Sequence, residues 1–313
     1  MTHSWFRSRT PFKNVRLPRS TGGRLVLMLL LFLAATALAA VVRTVAGTNP
    51  FLSVVAGAVV AFGALKLYAV AVRAVEERAL PELDTASAVS GLRTGTLVGL
   101  ALFTATIGLI ALFGGYGTKG GVSVSGAIAV LGTMAGVAVV EELLFRGIVF
   151  RLVEQLVGTR GVLAISGLLF GGLHLVNSGA TLWGGLAIAV EAGLMLGAAY
   201  AATRTLWLPI GLHFGWNFAE SGIFGTTVSG NDGTPAGLLH GVLSGPAAVT
   251  GGTFGPEASI FAIVICAIPT VLFLRMAKQR GHLYTRSELK AAADTGAAAG
   301  TAHGAQDTIA DPR

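Results

Sequence analysis

The sequence predicts an all-α polytopic membrane protein of about eight transmembrane helices, and three observations carry that expectation. Of 313 residues, 53% are hydrophobic and 12% charged, against about 25% charged in an ordinary soluble domain. The apolar residues fall in blocks of roughly 20, the length a helix needs to cross ~30 Å of hydrocarbon. The basic residues gather at the ends of those blocks. This composition excludes a disordered chain and argues against a soluble globular enzyme. The single cysteine, Cys266, excludes a disulfide scaffold. The net charge of +7 is read as topology, so no nucleic-acid partner is expected.

The blocks follow one another with alternating flanks. Leu25–Val42 follows six Lys/Arg: Arg7, Arg9, Lys13, Arg16, Arg19 and Arg24. It contains Ala37-Leu38-Ala39, which resembles a cleavage site. Its leader of 24 residues and its run of 18 are long for a signal peptide, so it reads as an uncleaved anchor. Phe51–Val72 lies between Arg43 and the group Arg73, Arg78 and Arg93. Gly95–Phe113 leads into a Gly-rich connection holding Lys119. Its stretch 114–120 lacks the spacing of a phosphate loop. Val122–Phe145 is followed by Arg146, Arg151 and Arg160. Gly161–Asn177 and Leu182–Thr203 come next, then Arg204, then Leu206–Phe224. The longest loop, Gly225–Glu257, has 9 Gly and no Lys or Arg, with a turn signal at 231–235. Ala258–Leu274 closes the series before a tail holding Arg275, Lys278, Arg280, Arg286, Lys290 and Arg313.

Counted this way, 19 of 22 basic residues fall on one side; Arg43 and Lys119 fall on the other, and Lys66 lies within a block. Cytoplasmic connections collect Lys and Arg, so both termini are expected in the cytoplasm of a multi-pass protein of the cell membrane. The expected organisation is a basic tail at 1–24, a membrane domain at 25–274 and a tail at 275–313, with 1–24 and 287–313 disordered. The pairs Gly132/Gly136, Gly167/Gly171, Gly193/Gly197 and Gly211/Gly215 are expected to let helices approach closely.

Ionisable groups inside a span are costly and are functional candidates. Glu141-Glu142-Leu143-Leu144-Phe145-Arg146 is placed at the cytoplasmic end of the fourth span. Glu142 and Arg146 are i, i+4 and can pair, either in support of a site or as an interfacial ion pair ending a helix. Glu141 points about 100° away and keeps no partner on that face. Phe170 and His174 share a face of the fifth span; His174 is a ligand or a hydrogen-bonded packing residue. His213 and Asn217 present two polar heads to one point of the seventh span, as a site or as a structural pair. Glu191, in mid-span, is a cavity group or a buried, protonated hydrogen-bond donor. Glu220 and Lys66 read as interfacial or snorkelling residues, and His240 has no motif context.

Together, Glu141, His174, His213 and Asn217 could line one intramembrane cavity open to the cytoplasm. A carboxylate base that deprotonates water, with fixed donors for the oxyanion, is what amide hydrolysis requires. Two His and one Glu are also a ligand set of catalytic zinc sites. Depths counted from Arg146, Arg160 and Arg204 disagree, at roughly 8, 21 and 14 Å for Glu141, His174 and His213 at 1.5 Å per residue.

In these residues the sequence resembles the CPBP family of intramembrane proteases, which spans CAAX-processing endopeptidases and bacteriocin-processing or immunity proteins (the ABI family). The pattern Glu-Glu-x-x-x-Arg, Phe-x-x-x-His, His-x-x-x-Asn occurs here in order. The similarity covers about 121–218, and Leu-Trp-Leu-Pro-Ile before His213 shares it. The resemblance implies an intramembrane endopeptidase of membrane-associated protein or peptide substrates, with membrane lipid as its other partner. It implies Glu141 as the residue that activates water, His174 as the one that binds that water, and His213 with Asn217 as the oxyanion site. Glu142, Arg146 and Phe170 would support them. A Zn²⁺ on Glu141, His174 and His213 and a metal-free glutamate mechanism both remain open. The alternative is a non-catalytic relative acting in immunity or as a membrane chaperone; the unpaired Glu141 argues against it.

Overall fold

The computed structural model describes residues 20–231, 237–292 and 294. Residues 1–19 of the basic leader, most of the 231–235 turn and the end of the tail lie outside these residues; Arg24 lies in the first helix, and 287–292, expected to be disordered, are helical. Eight helical segments make up the bundle: α1 (Thr21–Ala46), α2 (Pro50–Glu76), α3 (Ala88–Leu112), α4 (124–157), α5 (159–173), α6 (182–203), α7 (207–223) and α8 (Ile260–Gln279). Their starts are written in the chain. Asn49 accepts from the Leu52 amide and is followed by Pro50, and Ser123, Thr181 and Ser259 cap α4, α6 and α8 in the same way. The only regular strands among the described residues, β1 (Tyr116–Thr118) and β2 (Gly241–Leu243), pair antiparallel across one end.

Among the described residues, six segments are long and apolar enough to cross a membrane: Thr21–Ala46, Pro50–Glu76, Pro81–Leu112, Val124–Val176, Leu182–Thr203 and Ile260–Gln279. The fourth has 53 residues, ~80 Å if straight, more than twice the hydrocarbon thickness. It turns at Gly158, whose φ of 77° is left-handed and favours glycine. There α5 folds back along α4, and Phe145 meets Phe170 with ring centroids 4.9 Å apart. At 207–223, α7 is shorter and lies along α3. Apolar side chains such as Leu30, Leu38, Phe62 and Leu168 cover the outer surface, as a lipid environment requires.

Helices approach through glycine. A Cβ on Gly132 would collide with the Ser53 carbonyl of α2, one on Gly211 or Gly215 with the Leu92 or Thr96 carbonyl of α3, and one on Gly171 with the Gly185 carbonyl of α6. A Cβ on Gly193 would lie 2.8 Å from Gly167 Cα. A Cβ on Gly136 or Gly197 would come closest to a side chain, Val60 at 3.3 Å or Leu163 at 3.2 Å, which is tight but can give.

The basic ends are tied by acids into one layer. Arg151 pairs with Glu76 at 2.5 Å, Arg78 with Glu82 at 2.6 Å, and Arg204 with Glu154 at 2.7 Å. Arg204 also donates to the His282 carbonyl. This layer corrects the fourth span, expected as Val122–Phe145. Arg146 and Arg151 do not lie in a connection, because α4 runs on to 157, and Arg146 is wholly buried.

The correction resolves the depth conflict. Counted from the turn at Gly158, Glu141 lies 17 residues back and His174 16 residues on, ~25 and ~24 Å at 1.5 Å per residue. The Arg204–Glu154 pair sets Arg204 ~6 Å from that turn, and nine further residues put His213 at ~20 Å.

Candidate active site

Two of the three motifs adjoin a π-helical stretch, 143–150 after Glu141-Glu142 and 218–223 after Asn217, and a third stretch, 189–194, holds Glu191; the Phe170–His174 motif instead ends its α-helix in a 3₁₀ turn at His174. Such insertions rotate the following side chains relative to the helix before them and occur often at functional sites. Here they join the interior of the bundle, where α4, α5, α6 and α7 meet.

Glu142 is fully buried, and its Oε1 accepts from Arg146 NH1 at 2.8 Å and from His213 Nδ1 at 2.9 Å. Arg146 NH2 donates to the Gly193 and Ala192 carbonyls of α6 at 3.0 and 3.3 Å, and the guanidinium lies 5.0 Å from the Phe170 ring centroid. The pair is therefore a bolt between α4, α6 and α7 and lies well inside the bundle. Glu141 differs in kind. Its side chain is 21% exposed, its Oε2 has no hydrogen-bond partner, and that oxygen lies 3.8 Å from His213 Nε2. The two carboxylates thus flank one imidazole.

The hydrogen bonds also determine which ring nitrogens hold protons. His174 Nδ1 lies 2.7 Å from the Phe170 carbonyl, which can only accept. Nδ1 therefore carries a proton, and Nε2 offers a lone pair whenever the ring is neutral. His213 Nδ1 faces a carboxylate, so its Nε2 can donate only when the ring is an imidazolium. The Phe170 ring packs against His174 at a tilt of 41°, with centroids 4.8 Å apart, and helps to orient it.

Glu141, His174 and Asn217 line one cavity of about 620 Å³, within the size range of ligand sites. Its wall includes Thr36 of α1, Ser53 of α2 and Thr133 of α4, and it reaches Thr48, Val176 and Asn231. Those last residues lie at the end of the bundle opposite Glu76 and Arg151. The cavity therefore reaches the end away from the basic layer. Cytoplasmic termini and a cavity open to the cytoplasm, expected together, are incompatible in this fold. The reason is the extra length of α4, which moves Glu141 away from the basic end.

Several groups stand apart from the expectations. Glu220, expected at an interface, is fully buried and acts electrostatically with Glu257 and Glu191. Glu257, which no motif singles out, accepts from Trp216 Nε1 at 3.1 Å, the Ser229 amide at 2.7 Å and Ser229 Oγ at 2.6 Å. The local signal for it is only a carboxylate at the mouth of an apolar block. Lys66 is exposed on α2, and His240 is exposed on the loop. Among the described residues, no three His, Cys, Asp or Glu side chains converge as metal ligands. In this arrangement Glu141, His174 and His213 do not make a zinc cage.

Comparison with known proteins bears on the same stretch. Residues 123–219 match the model of a family described as Rce1-like, type II CAAX prenyl endopeptidase. The match coincides within two residues with the segment expected from the motifs, and it holds Glu141, His174, His213 and Asn217. No curated protein and no solved structure matches the chain.

Proposed function

We infer, from the match of residues 123–219 to the CAAX prenyl endopeptidase family, that this chain is a multi-pass intramembrane endopeptidase acting by glutamate-activated water. One observation carries the mechanism. Of two adjacent carboxylates, only Glu141 is open to the cavity, while Glu142 is buried and bound to Arg146 and His213.

In the proposed reaction Glu141 takes a proton from a water held at His174 Nε2. The hydroxide adds to the scissile carbonyl carbon. The oxyanion is met by the Asn217 carboxamide, and by His213 Nε2–H when that ring is an imidazolium between its two carboxylates. Collapse breaks the C–N bond, and the protonated Glu141 returns its proton to the leaving amine. Fixed donors and a general base are each worth about 10²–10³ and 10²–10⁴ in rate. The side chains alone supply every step. The substrates proposed are membrane-associated proteins or peptides in the cell membrane, with the basic ends in the cytoplasm.

The test compares new protein N-termini in membranes from wild-type and Glu141→Gln cells. Termini that vanish with Glu141→Gln, while the variant inserts at normal abundance, identify the substrates. Identical sets of termini would overturn the reading. Elemental analysis decides the zinc question: about one zinc per chain, lost together with activity on chelation and restored by zinc, would replace the glutamate-only mechanism.

A further inference from the structure

Glu191 sits in the widened turn of α6, wholly buried in the bundle. Its Oε2 meets only the weak Cys266 S–H of α8, at 3.6 Å, and its Oε1 has no hydrogen-bond partner. The ionisable groups that act on it electrostatically, Glu257 and Glu220, are carboxyls like itself, and no cation is among them. Glu257 already accepts three hydrogen bonds from Trp216 and Ser229. A bare carboxylate at 191 would face like charges with no cation in a low-dielectric interior, which strongly disfavours the charged form. As a carboxylic acid it has one O–H to place.

A second, smaller cavity adjoins the first and offers the acceptor. It measures about 10 Å³, and its lining includes Glu191, Asn217, His174, Ser229 and Glu257. Asn217, His174 and Ser229 also line the large cavity. The volume suits one water, which needs two to four polar partners. The Asn217 carboxamide, like Glu191 Oε1, makes no hydrogen bond to protein among the described residues. Two unpartnered polar groups on different helices thus face one water-sized space.

We propose that a water in this space links Glu191 to Asn217 and makes Glu191 a positioning residue for the oxyanion donor. The water accepts the Glu191 O–H and donates to Asn217 Oδ1. That pairing turns the Asn217 NH₂ into the large cavity, where the oxyanion forms. The inference rests on the endopeptidase reading for its kinetic consequence, and on the two unpartnered groups for the water itself.

Two measurements test it. In the first, Glu191→Gln keeps a donor of the same shape and holds kcat within about threefold of wild type. Glu191→Leu lowers kcat by about 10- to 100-fold at unchanged KM, part of the 10²–10³ that a lost oxyanion donor costs, with thermal stability unchanged or higher. On an Asn217→Ala background the same leucine changes kcat by less than about threefold, because the donor it positions is gone. A leucine variant that loses stability and keeps kcat would make Glu191 structural and overturn the proposal. The second measurement is a crystal structure at a resolution that shows ordered water. Density within hydrogen-bond reach of both Glu191 and Asn217 supports the link; a dry space, or Asn217 bonded elsewhere, sinks it. The density reads the water whether or not the chain proves to be a protease, so the two failures are distinct results.

Discussion

Replacing Arg146 by methionine tests the claim that the Glu142–Arg146 pair bolts the core. The arginine is wholly buried and makes three charged hydrogen bonds, to Glu142 Oε1 at 2.8 Å and to the Gly193 and Ala192 carbonyls at 3.0 and 3.3 Å. Methionine fills similar space but leaves Glu142 with His213 alone in a low-dielectric interior. Removing one partner of a buried pair costs ~3–5 kcal/mol, most of it the penalty on the charge left behind. For a chain of this size 1 kcal/mol moves the melting temperature by about 2 °C, so a fall of roughly 6–10 °C is expected in detergent. Membrane abundance should fall with it. The physical argument makes a second, sharper claim. Glu142→Gln combined with Arg146→Met removes both charges, and it should recover at least half of the lost stability, since a buried pair and a well-packed apolar replacement differ little. The assay is thermal aggregation of solubilised protein for wild type, both single variants and the double variant. An Arg146→Met protein that melts with wild type would refute the pairing argument. A double variant no better than the single would show that the guanidinium acts through the α6 carbonyls instead.

Two further perturbations probe the frame around the site. Gly132→Ala puts a methyl into the Ser53 carbonyl and forces α2 from α4; the expected loss is about 1–3 kcal/mol, read as a lower melting temperature, while Gly63→Ala, which meets nothing within 4 Å, should leave it unchanged. For sidedness, cysteines at Thr48 and Glu77, both exposed and at opposite ends of α2, are introduced with Cys266→Ser. An impermeant thiol reagent added to intact cells should label Thr48→Cys and spare Glu77→Cys; the reverse pattern would invert the bundle and turn the large cavity towards the cytoplasm.

Much of this protein is legible in its linear sequence because membrane insertion depends on local properties. Apolar length, Lys/Arg at block ends and cap residues are all short-range, and they mark the helices before any packing is known. Helix periodicity likewise separates Glu141 from Glu142 by about 100° and puts His213 above Asn217, so the candidate groups could be named from spacing alone. The end of α4 could not. Arg146 reads as a boundary because an arginine is assumed to seek water; Glu142, one turn back, supplies a carboxylate, but only the packing of α6 against it supplies the carbonyls that hold it inside. That one misplacement set the wrong depth for Glu141 relative to the basic end of the bundle. Glu257 and Ser229 come from a long loop that returns to the bundle, and no local pattern announces such a return. The fold therefore decides which carboxylate faces the cavity, which end that cavity reaches, and how Glu191 comes to lie behind Asn217. Each depends on contacts between residues tens of positions apart, where spacing along one helix carries no information.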